Sequence, residues 1–178
     1  TFKKLAVLLD TNPMGITRAV ESLKNQELIE ITGEKEKTIR FLADKRNLWM
    51  KAREENLFIN PVLKRVYVDK LPLNINLLKA YDNALTEYTD INPARQEYYA
   101  IEKNMFQALK KTKTLINENN YEGKYCIEVW KYKPLTIKKL LFENTQAVDP
   151  LSLLLCYKDT HDERVEMAME QIENKYLW

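Results

Sequence analysis

The chain has 178 residues, 45% of them apolar and 30% charged, with a net charge of +2, which suits a globular protein of one domain or two small ones. Three glycines never closer than 18 positions exclude a P-loop and a dinucleotide fingerprint, and a single histidine excludes a zincin pair. Cys126 and Cys156, 30 positions apart, offer no C-x-x-C spacing for a structural zinc.

Phe2, Leu5, Ala6 and Leu9 recur at helical spacing and predict a short helix over 2–9, interrupted by Asp10 and Thr11. Asn12-Pro13 is a cap followed by proline at the first helical position, so a second helix is expected to run to about Gln26. Its inner face would carry Ile16, Ala19, Val20 and Leu23. Residues 27–32 read as a strand with Ile29 and Ile31 on one face, 33–37 as a polar tip, and 38–43 as a returning strand with Ile39 and Phe41 apolar. A third helix over 44–56 would put Leu48, Trp49 and Ala52 inside. Asn60-Pro61 breaks the pattern and places a domain boundary near 56–61, dividing the chain into 1–56 and 57–178.

The second half alternates. A β-branched strand is expected over 65–69, a mostly helical stretch over 73–88, a strand over 98–101 and a helix over 102–113. Residues 125–132 form the clearest strand, after a polar turn over 117–123. Asp149-Pro150 starts a helix over 151–157. Thr160 and Glu163 have the spacing of a capping box before a stripe of Val165, Ala168, Met169, Ile172 and Tyr176 that runs out to Trp178. That stripe suits a core helix or half of a dimer seam. The fold class is therefore α+β, with an N-terminal helix-turn-helix and wing followed by a mixed α/β domain.

The charge is spread evenly. Residues 1–56 hold 11 Lys and Arg against 9 Asp and Glu, and residues 57–178 hold 17 against 17, so nucleic acid would be bound through a placed patch and not through bulk attraction. A helix that reads the major groove does so with side chains near its N-terminus. Asn12, Met14, Thr17, Arg18 and Lys24 occupy that face of the second helix, with Glu21 among them. Arg18 suits guanine, Thr17 a base edge or a thymine methyl, and Gly15 a close approach. Lys3 and Lys4 suit phosphates, as do Lys35, Lys37 and Arg40 in the wing.

The run Leu5-Ala6, Leu9, Asn12-Pro13-Met14-Gly15-Ile16-Thr17-Arg18-Ala19-Val20-Glu21-Ser22-Leu23 and Leu28-Ile29 resembles the winged helix-turn-helix of bacterial MarR-like transcriptional regulators. The resemblance implies double-stranded DNA as partner and, because operators are usually two-fold symmetric, a homodimer. Asp10 and Glu27 stand where that family often carries glycine. The helix that normally precedes these two is absent, and with no initiator Met the remainder is expected upstream. More weakly, residues 91–101, 126–132 and 148–153 are similar to the C-terminal part of AbiEi-type antitoxins, which implies a nucleotidyltransferase toxin as protein partner and repression of a shared operon.

Arg95, Gln96, Glu97, Glu128 and Asp149 are candidate polar site residues in the second half. No nucleophile–base pair assembles from them, because the only histidine lies in the expected capping box, so no catalytic residues are expected. Asp159, His161, Asp162 and Glu163 have the composition of a metal cluster but read better as a charged helix start, so neither metal nor cofactor is expected. Trp130 and Tyr132, on one strand face with Cys126 and Glu128, suit core packing or an aromatic ligand pocket. With no apolar run of membrane length and no signal-like start, a cytoplasmic protein without a membrane partner is expected. The reading is a repressor-like regulator. The alternatives are an antitoxin-like interaction module and a small-ligand binding protein.

Overall fold

The computed structural model describes residues 1–34, 36–141 and 144–177. They form a mixed α and β structure that divides into two compact units, Thr1–Phe58 with Leu177, and Ile59–Tyr176.

The first unit opens with α1 (Phe2–Leu8) and α2 (Pro13–Asn25). Asn12 caps α2 as its sequence predicts, its Oδ1 accepting from the Gly15 amide at 2.7 Å. The strands β1 (Ile29–Thr32) and β2 (Thr38–Phe41) pair antiparallel, and α3 (Lys45–Glu54) follows behind an Asp44 cap. Ala6, Ile16, Val20, Leu28 and Ile29 are buried together, with Phe2, Leu5, Leu9, Leu23 and Leu48 packed around them. One expectation fails here and another holds only in part. Ala19 is exposed, because α2 buries only the narrower stripe of Ile16 and Val20. Phe41 is 61% exposed at the end of a hairpin with only one face covered. α3 has no buried residue, so Leu48, Trp49 and Ala52 are half-buried, with Trp49 against Phe58 at 4.3 Å.

The helix ends share one device. After α1, α2 and α3 the chain turns through Asp10, Glu27 and Asn56 at φ of 47°, 53° and 52°. In each case the next amide reaches back to close the last turn, Thr11 to the Ala6 carbonyl, Leu28 to Leu23 and Leu57 to Ala52. These are Schellman ends whose left-handed residue is usually glycine.

The second unit is a four-stranded sheet in the order β3-β6-β5-β4, built from β3 (Val62–Val68), β4 (Leu78–Lys79), β5 (Glu97–Glu102) and β6 (Tyr125–Trp130). β6 is central, antiparallel to β3 and parallel to β5, and α5 (Lys103–Lys111) makes the crossover between β5 and β6. One face carries Val66, Val68, Ile101, Ile127 and Val129, covered by Phe106 and Leu109 of α5. Gly123 lies against β3, where a Cβ would stand 2.9 Å from the Val68 amide nitrogen. α5 ends in the same Schellman turn through Lys113 at φ 53°.

The remaining helices are α4 (Tyr81–Tyr88), α6 (Pro134–Leu141), α7 (Pro150–Cys156) and α8 (Glu163–Tyr176). Only the last half of the expected 73–88 helix forms. Leu78 and Lys79 are drawn into pairing with Ala100 and Tyr99, while Lys79 also exchanges backbone bonds with Gln146 and Val148. The capping box at Thr160 does not form either. Asp162 starts α8 instead, its Oδ1 accepting from the Arg164 amide at 3.0 Å. The stripe of Val165, Ala168, Met169, Ile172 and Tyr176 is buried or half-buried, so α8 packs as a core helix; Trp178 lies outside the described residues. No helix of the described residues is long and apolar enough to cross a membrane.

Candidate functional site

Two sets of polar side chains stand out, one on the surface of the first unit and one inside the second. On α2, the burial of Ile16 and Val20 leaves Met14, Arg18, Glu21 and Lys24 facing solvent. Arg18 lies along the helix with Nη2 3.6 Å from the Met14 sulfur. Thr17 is half-buried and donates its hydroxyl to the Pro13 carbonyl at 3.1 Å, so its methyl and lone pairs remain. The Gly15 amide is already taken by the Asn12 cap, and a Cβ there would make only ordinary contacts. Lys3, Lys4 and Lys37 are exposed. Arg40 pairs across the hairpin with Glu30 at 3.5 Å, both well exposed, a contact worth little in water. Lys35 lies outside the described residues. α2 and the hairpin thus carry cations that make few bonds to the protein, interleaved with Glu21 and Glu30.

The second set is built on the other face of the four-stranded sheet. Strand register aligns Arg65 of β3 with Glu128 of β6 and Ala100 of β5, and beside that row Tyr67 with Cys126 and Tyr98. Glu128 is fully buried in the central strand. It is satisfied on three sides: Arg65 donates through Nε and Nη2 to Oε1 at 3.1 and 3.0 Å, and the Trp130 indole N–H donates to Oε2 at 3.2 Å. Burial pushes the Glu128 carboxyl above the ordinary carboxylate range, with Arg65 and Trp130 pulling the other way. Burial works against the Arg65 guanidinium too, yet the facing carboxylate holds it above its ordinary value. The guanidinium lies 4.1 Å from the Tyr81 ring centroid and 5.5 Å from that of Tyr98.

Tyr81 is held from several directions. Its ring stacks on Tyr157 at 4.5 Å, the Tyr157 hydroxyl donates to Asp82 at 2.6 Å, and the neighbouring Ala80 amide bonds the Tyr98 carbonyl. Its backbone is left-handed at φ 47°, a conformation costing on the order of 1 kcal/mol or more for a residue with a side chain. Arg65, Tyr81 and Tyr157 line a cavity of about 650 Å³ whose rim includes Asn60, Thr160 and His161. A second cavity of about 530 Å³ also touches Tyr81, between the 90–94 segment and α8.

Of the polar candidates read from the sequence, Glu128 belongs to this centre. Asp149 is buried elsewhere as the cap of α7, where Oδ1 accepts from the Ser152 amide at 2.8 Å and Oδ2 has no hydrogen-bond partner among the described residues. Burial raises its carboxyl as well. Gln96 and Glu97 serve β5, Gln96 donating to the Lys124 carbonyl and Glu97 accepting from Tyr99. Arg95 joins neither group. Tyr132 falls just beyond β6, but its ring meets Trp130 edge-on at 5.6 Å and its hydroxyl donates to Ser152 at 2.6 Å. Asp159, His161, Asp162 and Glu163 do not converge, and no group of three possible metal ligands occurs among the described residues. Arg65, Tyr81 and Tyr157 were not anticipated. The available signal was an arginine on the inward period of a β-branched strand, matched by a glutamate on the inward period of the aromatic strand. No family model, curated protein or solved structure matches this chain.

Proposed function

We propose that the first unit binds double-stranded DNA as a winged helix-turn-helix and that the protein is a bacterial, cytoplasmic, repressor-like transcription regulator acting as a homodimer. The observation that carries this reading is the division of α2. Ile16 and Val20 fix it to the core, while Met14, Arg18 and Lys24 project from its first turns and outer face. The order helix, turn, helix, two-stranded hairpin supports it, and Lys37 and Arg40 of the hairpin would be its phosphate contacts. Asp10 and Glu27, two of the departures from the MarR-like pattern, support it too. Each takes the left-handed backbone that glycine takes most readily.

In this reading Arg18 reads a base and Lys3, Lys4 and Lys24 set the register on phosphates. The test is binding of the full chain to the DNA upstream of its own operon, with scrambled DNA as competitor, at several salt concentrations. Preference for the upstream DNA is expected. Arg18→Ala should remove about 1–3 kcal/mol of that preference without moving the melting temperature. Equal binding to scrambled DNA, or unchanged preference in the variant, overturns it.

A second reading, an antitoxin-like module that neutralises a toxin protein, is favoured by exposed apolar side chains on the same unit, Val7 at 81% and Phe41 at 61%. Co-purification of a toxin encoded beside it, with no affinity for the upstream DNA, would replace the first reading with the second.

A further inference from the structure

We infer that the cavity at Arg65 binds a small carboxylate, held by the Nη1 side of the Arg65 guanidinium. The inference is independent of DNA binding and rests on how this arginine is presented. Its bonds to Glu128 run through Nε and Nη2, and Nη1 takes no part in that pair. The side chain keeps 38% exposure although its partner carboxylate has none. One edge of the planar fork is therefore anchored inside the sheet while the other borders a cavity of about 650 Å³.

The anchoring exceeds what packing alone requires. An ion pair with one member fully buried is often matched in stability by apolar side chains of the same volume, so keeping it here suggests work for the exposed partner. The Tyr81 ring at 4.1 Å restrains the plane of the guanidinium, and the left-handed backbone of Tyr81 is a local strain of the sort found at ligand sites. An arginine fixed in this way loses little freedom on taking a second carboxylate.

The charge around the cavity selects the ligand. Asp159 also lines it, whereas the Lys64 ammonium lies 4.4 Å from the ring centroid of Phe106, which covers the opposite face of the sheet. Asp159 repels a dianion more strongly than a monoanion, which favours the smaller charge. A planar carboxylate also matches the other fork edge for two parallel hydrogen bonds. Asn60 is committed to the Cys156 carbonyl and the Val62 amide, which leaves Thr160 and His161 as rim partners for the rest of the ligand.

The Trp130 indole N–H, bonded to Glu128, is a reporter one carboxylate away. The test is a 1H–15N spectrum of the full chain titrated with sodium acetate, sodium benzoate and inorganic phosphate, each against sodium chloride at matched ionic strength. Trp130→Phe identifies the indole peak. A saturable shift of that peak is expected with acetate or benzoate, at on the order of millimolar concentrations for such small probes, and none with chloride. Arg65→Lys keeps a cation for Glu128 and should weaken binding about tenfold or more. If that variant fails to fold, the double variant Arg65→Met with Glu128→Gln, which removes both charges together, should fold and bind neither carboxylate. Absence of a saturable carboxylate shift, tighter binding of phosphate than of carboxylate, or retained affinity in the folded variants overturns the proposal.

Discussion

The two units handle charge in opposite ways. In the first, no ionisable side chain among the described residues is buried, Ala6, Ile16, Val20, Leu28 and Ile29 pack together as a core, and the third helix has no buried residue. In the second, Glu128 and Asp149 lie inside, and the sheet row around Glu128 is arranged to satisfy it. The difference separates two ways of using a charged group. A surface cation can be lost with little effect on folding, so its identity is free to serve a partner. A buried carboxylate is tied to folding through every donor that reaches it, so its role and the stability of the unit are read together.

The largest expected effect comes from breaking the buried arrangement. Arg65→Ala leaves Glu128 without its cation and should cost about 3–5 kcal/mol in urea unfolding at neutral pH, whereas Arg18→Ala on the other unit should cost almost nothing. The loss should depend on pH. Burial holds Glu128 above its ordinary value, so the native state keeps its proton more tightly than the unfolded chain does. Its contribution is thus present in acid and lost as pH rises through the native value. Without Arg65 to oppose that loss, the gap between variant and parent should be small near pH 4 and widen towards pH 7. A gap of constant size would break the comparison.

Two glycines give effects of opposite sign. Gly123→Ala forces a Cβ against the Val68 backbone and should cost about 1–3 kcal/mol. Gly15→Ala has room within α2 and should gain up to about 1 kcal/mol, which thermal melting would register. Removing the α2 cap by Asn12→Ala should cost about 1 kcal/mol, seen in the urea midpoint. Glu27→Gly and Lys113→Gly, one in each unit, should each add about 0.5–1 kcal/mol and raise the melting temperature by a few degrees. Both relieve a left-handed residue without touching a contact. A fall in either would mean that its side chain holds the turn by contacts of its own.

Elements whose signals are local were legible in the sequence. Asn12-Pro13 and Asp149-Pro150 each start a helix, and the apolar stripe of α8 packs as its spacing predicts. Elements made by distant partners were not. β4 is two residues long and exists because Leu78 and Lys79 find β5 on one side and the chain near Ala147 on the other. The helical pattern over 73–80 yields to that pairing. Thr160 lost the α8 cap to Asp162, two positions nearer the helix start. The inner site was half legible: Glu128 stood out as a polar residue on an apolar strand, while Arg65 read only as the start of another. Alternation places each on a face, but only the register brings them to the same row.

The order of strands also bears on how the chain emerges from the ribosome. Most of the first unit joins neighbours in sequence, with Leu177 arriving last. The sheet of the second does not, because its central strand, Tyr125–Trp130, is the last of the four to be synthesised. Until then Val62–Val68 and Glu97–Glu102 have no strand between them, and each exposes a row of unpaired amides. Arg65 waits without its carboxylate over the same interval. A nascent chain paused before residue 125 would thus carry an open pair of strand edges, the stage at which a chaperone would have most to hold.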